Sequence, residues 1–156
     1  MDKIPNSPIL MKAFVYCNDC NYDFSKDKLD DVLNGDPTET ALIKAYFNNV
    51  DVLKNTVSNV NRVFDIPFDS SRKMMSVIVK ENGREACYVK GAPERLINKC
   101  RYIHEEGRVK LLTSQKKQQI LNVVENMSNR ALRCIGGAYK VENLTRSESL
   151  ENELIF

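Results

Sequence analysis

The alternation of apolar and polar residues predicts a pair of strands near the middle of the chain. Met75, Val77 and Val79 alternate with Met74, Ser76 and Ile78, a period of two that is typical of a strand. An Asn-Gly dipeptide follows at residues 82–83 and favours a two-residue type I′ turn. The register of the predicted hairpin pairs Glu81 with Arg84, Lys80 with Glu85, Val77 with Tyr88 and Met75 with Lys90.

Helices are predicted on both sides of this hairpin. The apolar stretch over residues 9–16 predicts a helix, and the polar segment 17–31 a surface loop. Asp36 and Pro37 suit the cap and first position of a second helix, which Asn48 and Asn49 are expected to end. Two further helices are predicted to begin at Pro93 and at Thr113 or Ser114.

Further strands complete the fold prediction. Residues 62–68 alternate as a strand whose end Pro67 confines to an edge or a bulge, and residues 102–103 and 109–111 flank a looser second turn. Residues 132–141 predict a strand. Residues 146–153 form a polar segment that leads to a short final strand, which is predicted over residues 154–156. Antiparallel hairpins with helices between them indicate an α+β fold, a mostly antiparallel sheet flanked by helices.

Size and charge limit the possible functions. The chain has 156 residues, a length typical of one domain, so we predict a single domain over 1–156. Its 23 basic and 21 acidic residues leave a net charge of +2, too small to hold nucleic acid or an anionic membrane. No apolar run approaches the roughly 20 residues that span a bilayer. We therefore expect neither a nucleic-acid partner nor direct membrane contact.

Cysteines and standard motifs argue against catalysis by this chain alone. Five scattered cysteines fit a reducing compartment better than a disulfide scaffold. Cys17 and Cys20 have CxxC spacing, but without a second pair and with His104 as the only histidine they do not predict a zinc site. GxxxxGK[ST], GxGxxG and HExxH patterns are absent. We expect no catalytic residue and no metal ligand.

The predicted hairpin does suggest a binding face. Its register sets Lys73 and Lys90 diagonally on one face beside Met75, and two ammonium groups beside an apolar patch suit a ligand that is flat at one end and anionic at the other. An aromatic residue such as Phe68 at a strand end can stack a base, and Gly91 before Ala92 would let the backbone approach a ligand.

Each of these residues also has an ordinary structural explanation. The two lysines could be solvated at the exposed end of a strand pair, and Phe68 could belong to the core. Glu39 stands three residues after Asp36, so a capping box would account for it. Arg133 could be an outward-facing strand residue.

Four segments decide between these alternatives: GDPTETAL at 35–42, FDSSRKMMSV at 68–77, KGAPE at 90–94 and LRCI at 132–135. Their order and approximate spacing resemble the nucleotide-binding domain of P-type cation-transporting ATPases, and Cys17-Asn18-Asp19 resembles a further CND motif. The resemblance covers nearly the whole chain.

The resemblance implies roles for particular residues. Phe68 would stack on adenine, Glu39 would lie near its exocyclic amine, and Arg133 would reach toward the phosphates or the ribose. The implied pocket lining is Lys73, Met75, Lys90, Gly91 and Ala92. Relatives of the animal calcium pumps carry an arginine two positions after the phenylalanine, where this chain has Ser70, so that phosphate contact is either missing or supplied by Arg72.

The resemblance also implies a parent protein. DKTGT, TGD and GDGxND segments are absent, so we expect a cytoplasmic domain excised from a larger integral membrane pump and inactive when isolated. It would hold ATP and present the γ-phosphate to an aspartate on a separate phosphorylation domain, with that domain and the actuator domain as partners and Mg²⁺ bound only with the rest of the pump. Calcium is the expected ion. The alternatives are a sodium, proton or magnesium pump, or a freestanding nucleotide-binding regulatory module.

Overall fold

A seven-stranded sheet forms the centre of the protein in a computed structural model, which describes residues 7–156. Residues 1–6 of the predicted domain lie outside the described residues. The strands are β1 (Asn21–Tyr22), β2 (Leu33–Asn34), β3 (Val60–Asp69), β4 (Met74–Glu81), β5 (Arg84–Gly91), β6 (Cys100–Glu105), β7 (Arg108–Leu111), β8 (Gly136–Lys140) and β9 (Leu154–Ile155). The large sheet has the order β3-β4-β5-β8-β9-β6-β7, and β1 pairs with β2 separately. Of the described pairings, β6 with β9 is parallel and the others are antiparallel, which confirms the predicted α+β class.

Six α-helices accompany the sheet in residues 7–156. They are α1 (Pro8–Tyr16), α2 (Leu29–Val32), α3 (Pro37–Tyr46), α4 (Val50–Ser58), α5 (Pro93–Leu96) and α6 (Ser114–Asn129), with 3₁₀ turns at Ile97–Lys99 and Glu148–Glu151. Asp36 caps α3 by accepting from the Thr38 N–H, and Thr113 caps α6 by accepting from the Lys116 N–H. These caps confirm the predicted starts of both helices.

The central hairpin has the predicted register. Glu81 pairs with Arg84 and Met75 with Lys90. Asn82 and Gly83 both have positive φ, 52° and 76°, the conformation that a type I′ turn requires. The local sequence is therefore sufficient to set this part of the sheet.

Both faces of β4 are buried, so the sheet has a core on each side. Met75 and Val77 pack with residues of α1 and α3, including Ala13 and Ile43. Met74, Ile78 and neighbours on the other face pack against α5 and the C-terminal segment through Leu96, Leu150 and Leu154. β4 therefore lies between two packed layers.

The structure corrects three local predictions. Segment 17–31 is not simply a surface loop, because Cys17 and Cys20 are buried and the segment contains β1 and most of α2. Asn49, expected to end a helix, also caps α4 by accepting from the Asp51 and Val52 N–H groups. Residues 132–135 are irregular, so the predicted strand over 132–141 is limited to β8.

Residues 7–156 lack two further features: a membrane-spanning helix and a cluster of metal ligands. None of the helices within residues 7–156 has the length and hydropathy needed to cross a bilayer. Over the same residues, no group of three or more His, Cys, Asp or Glu side chains is arranged to hold a metal ion.

Candidate functional site

A cleft of about 710 Å³ lies where α3, the β3–β4 turn, the end of β5 and the segment after α6 come together. Its volume is in the range of small-molecule sites, roughly 300–1,000 Å³. All eight residues singled out from the sequence line it: Glu39, Phe68, Lys73, Met75, Lys90, Gly91, Ala92 and Arg133. Tertiary structure thus brings together residues that are up to 94 positions apart in the sequence.

Phe68 is an exposed aromatic side chain on the cleft. It lies near the end of edge strand β3, and 60% of its surface is accessible. The alternative that Phe68 is a core residue is therefore wrong. An exposed aromatic ring on a cleft is available for stacking by a planar ligand.

Lys73 lines the cleft from the turn before β4, whereas the sequence predicted that it lies on the strand. It precedes β4 and has a φ of 57°, so the pleat of the strand does not orient it. The turn over residues 70–73 is held by Asp69, whose carboxylate accepts from the Ser71 N–H at 2.6 Å and whose carbonyl accepts from the Lys73 N–H at 2.7 Å. Hydrogen bonds from Ser71, first its side chain and then its backbone, lower the pKa of Asp69.

Lys90 and Glu39 form an ion pair within the cleft. Lys90 Nζ lies 2.6 Å from Glu39 Oε1, and both side chains are largely buried. Lys90 is thus neither a solvated lysine nor an unpaired ammonium group. Within residues 7–156, Lys73 has no ion-pair partner within 4.0 Å, so the two lysines differ in the charge that they offer to a ligand.

The Glu39 side chain does not complete a capping box. Both of its carboxylate oxygens accept from the Asp19 N–H at 3.2 Å, and Oε1 also accepts from Lys90. The capping explanation therefore covers Asp36 but not Glu39.

Asn18 is a structural support of the site that sequence reasoning missed. Its buried amide donates to the carbonyls of Phe14 at 3.1 Å and Glu39 at 3.0 Å, and its side-chain oxygen accepts from the Cys20 N–H. Asn18 thus joins the end of α1 to the first turn of α3. The similarity of residues 17–19 to a CND motif marked the segment but gave no role to the amide.

Gly91 is required by packing within the protein. A β-carbon there would lie 2.5 Å from the Lys73 carbonyl oxygen and 2.7 Å from Met74 Cβ, closer than real contacts allow. The same carbonyl accepts from the Ala92 N–H at 3.0 Å. The close approach that glycine permits here is that of the Lys73 turn. Gly91 also lines the cleft, and its role in the approach of a ligand stays a prediction.

Arg72 does not replace the missing arginine at position 70. Its guanidinium donates to Glu151 through Nε at 2.9 Å and through Nη2 at 3.2 Å, and it is not among the residues lining the cleft. Ser70 does line the cleft. Arg133 is exposed there, with Nη1 3.3 Å from Thr38 Oγ1, so the unpaired cations facing the cleft are Lys73 and Arg133 among the described residues.

Thiol chemistry at the CxxC pair, Cys17 and Cys20, is disfavoured by burial. Burial raises the pKa of Cys17 to about 12 and is also the main cause of a raised pKa at Cys20. A protonated thiol is a poor nucleophile and metal ligand. The CxxC spacing is therefore structural: Cys17 Sγ donates to the Met75 carbonyl at 3.2 Å.

Comparison with known proteins identifies the family. Residues 7–156 match the family described as P-type ATPase, cytoplasmic domain N. The chain belongs to this family. It is a cytoplasmic domain of a P-type cation ATPase, as the four motifs predicted.

Relatives of this domain N include calcium-transporting proteins. The chain is 34% identical to Calcium-transporting ATPase 1 of Bacillus cereus over 95% of its length and to Calcium-transporting ATPase 1 of Lactococcus lactis over 94%. It is 31% identical to a probable cation-transporting P-type ATPase of Mycoplasma genitalium, also over 94%. The chain spans only 15–16% of the length of these relatives.

Proposed function

We propose that this domain binds ATP in the cleft and presents its γ-phosphate to an aspartate on a separate phosphorylation domain of the same parent chain. The observation that carries the proposal is the exposed side chain of Phe68 on a cleft that also contains a largely buried carboxylate, Glu39, and two unpaired cations. Such a cleft offers a stacking surface and a hydrogen-bond acceptor for a base, and positive charge for phosphates.

Glu39 has capacity for the adenine amine. A carboxylate offers about four acceptor sites, and the Asp19 N–H and Lys90 occupy three of them. The site that is left is on Oε2. An exocyclic amine can donate to it, whereas the carbonyl oxygen that guanine carries at the same position cannot.

The number of available cations indicates weak binding. Lys90 is neutralised by Glu39, position 70 is serine, and Arg72 is committed to Glu151. Lys73 and Arg133 remain for the phosphates. One stacked base and two exposed charge contacts, set against the lost freedom of the ligand, leave about 4–5 kcal/mol, which corresponds to a Kd from hundreds of micromolar to about millimolar.

The remaining chemistry belongs to the parent pump in this proposal. The phosphorylated aspartate and the ligands of Mg²⁺ would be supplied by the phosphorylation domain, and the actuator domain would be the other partner. The domain's role is then to position ATP for phosphoryl transfer, and the isolated chain should form no phosphoenzyme. Calcium is the proposed ion, because relatives over nearly the whole chain are named calcium-transporting ATPases.

ATP titration followed by nuclear magnetic resonance tests the binding site. We expect fast-exchange shifts of the Phe68, Lys73, Met75 and Lys90 amides, with half-saturation from hundreds of micromolar to about millimolar. Mg²⁺ should change the affinity little. The β6–β7 hairpin is an internal control, since it lies outside the cleft; shifts confined to Tyr102–Leu111 amides would place the ligand elsewhere.

Glu39→Gln tests the choice of base. ATP should bind the wild-type domain more tightly than GTP, because two facing acceptors without a donor cost about 1–3 kcal/mol, or roughly 5- to 150-fold in affinity. In the variant this ratio should fall toward one, since an amide can donate to a guanine carbonyl. The ratio is insensitive to the released charge of Lys90, because both nucleotides carry the same phosphates.

Glu94→Gln is the matched control, since Glu94 is another carboxylate on the cleft and should leave the ATP-to-GTP ratio unchanged. Thermal melting of each variant is measured in parallel, because Glu39→Gln also breaks a largely buried ion pair. Equal binding of ATP and GTP by the wild type, with a lower melting temperature as the sole effect of Glu39→Gln, would make Glu39 purely structural.

A further inference from the structure

Glu151 is a buried carboxylate that belongs to none of the four motifs. It lies at the end of the Glu148–Glu151 turn and is only 2% exposed. Its oxygens accept from the Ser76 hydroxyl and from Nε and Nη2 of Arg72. A buried carboxylate with several charge-assisted donors is held in one orientation.

The partner of Glu151, Arg72, lies within the turn between β3 and β4. Its Nη2 also donates to the carbonyls of Pro67 and Met74, each at 3.0 Å. Pro67 precedes the turn and Met74 follows it, so one guanidinium connects both sides. The planar guanidinium has fixed donor directions. Because Nε and Nη2 are held by Glu151, the direction in which Nη2 donates to the Pro67 and Met74 carbonyls is also set.

The braced turn has a cleft residue on each side of Arg72. Phe68 follows Pro67 directly, and Lys73 precedes Met74 directly. Neither side chain is fixed by burial, since both are exposed. Their placement relative to the rest of the cleft depends on the backbone of the turn. This backbone is held by Asp69 and by the Ala92 N–H on the Lys73 carbonyl, and the pair of Arg72 with Glu151 adds a side-chain contact from the protein's interior.

We propose that Glu151 is a positioning residue for nucleotide binding, acting through Arg72 to hold Phe68 and Lys73 in place. This inference rests on the proposed function, because it assigns Glu151 to the ATP site without contact with the ligand. Positioning groups of this kind affect affinity because a pre-ordered site loses less freedom on binding. Removing the carboxylate charge leaves Arg72 mostly buried with a weaker partner, and the turn is then held mainly by Asp69 and the Ala92 N–H.

Glu151→Gln tests the inference against Glu153→Gln as a matched control. Glu153 lies two residues further along and pairs with Arg101 at 2.9 Å, but both of those side chains are exposed. We expect Glu151→Gln to weaken ATP binding about fivefold or more, and Glu153→Gln to leave it within about twofold. Hydrogen exchange of the ATP-free domain should accelerate about tenfold at the Lys73 amide, while the Val77 and Tyr88 amides keep their protection.

A double-mutant cycle separates positioning from general stability. If Glu151 acts through the turn, Glu151→Gln should cost less affinity in a Lys73→Met background than in the wild type, because the group being positioned is already gone. A general loss of stability would instead add in full. Arg72→Lys is the second variant if Glu151→Gln does not fold. It keeps a positive partner for Glu151, removes the Nη2 group that donates to both carbonyls, and should also weaken ATP binding about fivefold.

The results distinguish failure of the inference from failure of the proposed function. Absence of ATP-dependent shifts in the wild-type domain overturns the function and the inference with it. Binding by the wild type with equal affinity in Glu151→Gln overturns the inference alone. Full additivity in the cycle, or equal loss of protection at Lys73 and Val77, makes the Glu151–Arg72 pair part of the fold and also overturns it.

Discussion

Phe68→Ala is expected to weaken ATP binding by roughly 5- to 150-fold, since base–aromatic stacking contributes about 1–3 kcal/mol. GTP should lose affinity by a similar factor, because every base has a face that can stack. The melting temperature should change little, as Phe68 is already 60% exposed in the unliganded domain. Nuclear magnetic resonance titration with each nucleotide, alongside thermal melting, measures both effects.

Val63→Ala is the matched control for Phe68→Ala. Val63 is another exposed apolar residue on the same edge strand, β3, but it does not line the cleft. The Val63→Ala variant should therefore bind both nucleotides like the wild type. If Phe68→Ala also binds ATP with wild-type affinity, the base does not stack on Phe68. The exposed Phe68 side chain then no longer supports ATP binding in the cleft.

Gly91→Ala is expected to destabilise the domain strongly. The new methyl group would lie 2.5 Å from the Lys73 carbonyl oxygen and 2.9 Å from Met74 Cα, and both are backbone atoms that a side-chain rotation cannot move away. Overpacking of this kind costs about 1–3 kcal/mol. For a domain of this size a loss near 3 kcal/mol lowers the melting temperature by roughly 6–12 °C.

Gly83→Ala is the comparison variant for Gly91→Ala. A β-carbon at Gly83 would have no atom within 4 Å, but the φ of this residue is 76°, so alanine there should cost about 1 kcal/mol through backbone strain alone. The pair also tests the role of Gly91. If Gly91→Ala melts like the wild type but loses ATP affinity, glycine is needed at position 91 for the approach of a ligand. Packing against the Lys73 turn would then not explain the glycine.

Some residues of the candidate site were predictable from local structure, and others only from the family resemblance. Lys90 and Met75 follow from an Asn-Gly turn, which sets a register that the structure repeats pair by pair. Phe68, Glu39 and Arg133 each had a plausible structural alternative, and only the resemblance of four ordered motifs favoured the cleft. For Lys73 the strand argument does not hold, because its backbone is left-handed, and only the resemblance predicts its position on the cleft.

The features that follow from the sequence are those that local chemistry controls: the helix cap at Asp36, a helix start at Thr113 or Ser114, the central hairpin and the four motifs of the family. Each depends on residues a few positions apart. Three contacts follow from the three-dimensional packing alone: the ion pair of Lys90 with Glu39, the hydrogen bond from Asn18 to α3, and the contact of Arg72 with Glu151. These partners are separated by 51, 21 and 79 positions. Sequence alone does not select among the many polar side chains that could meet at such separations, because the partner is chosen by how the sheet and helices pack around it.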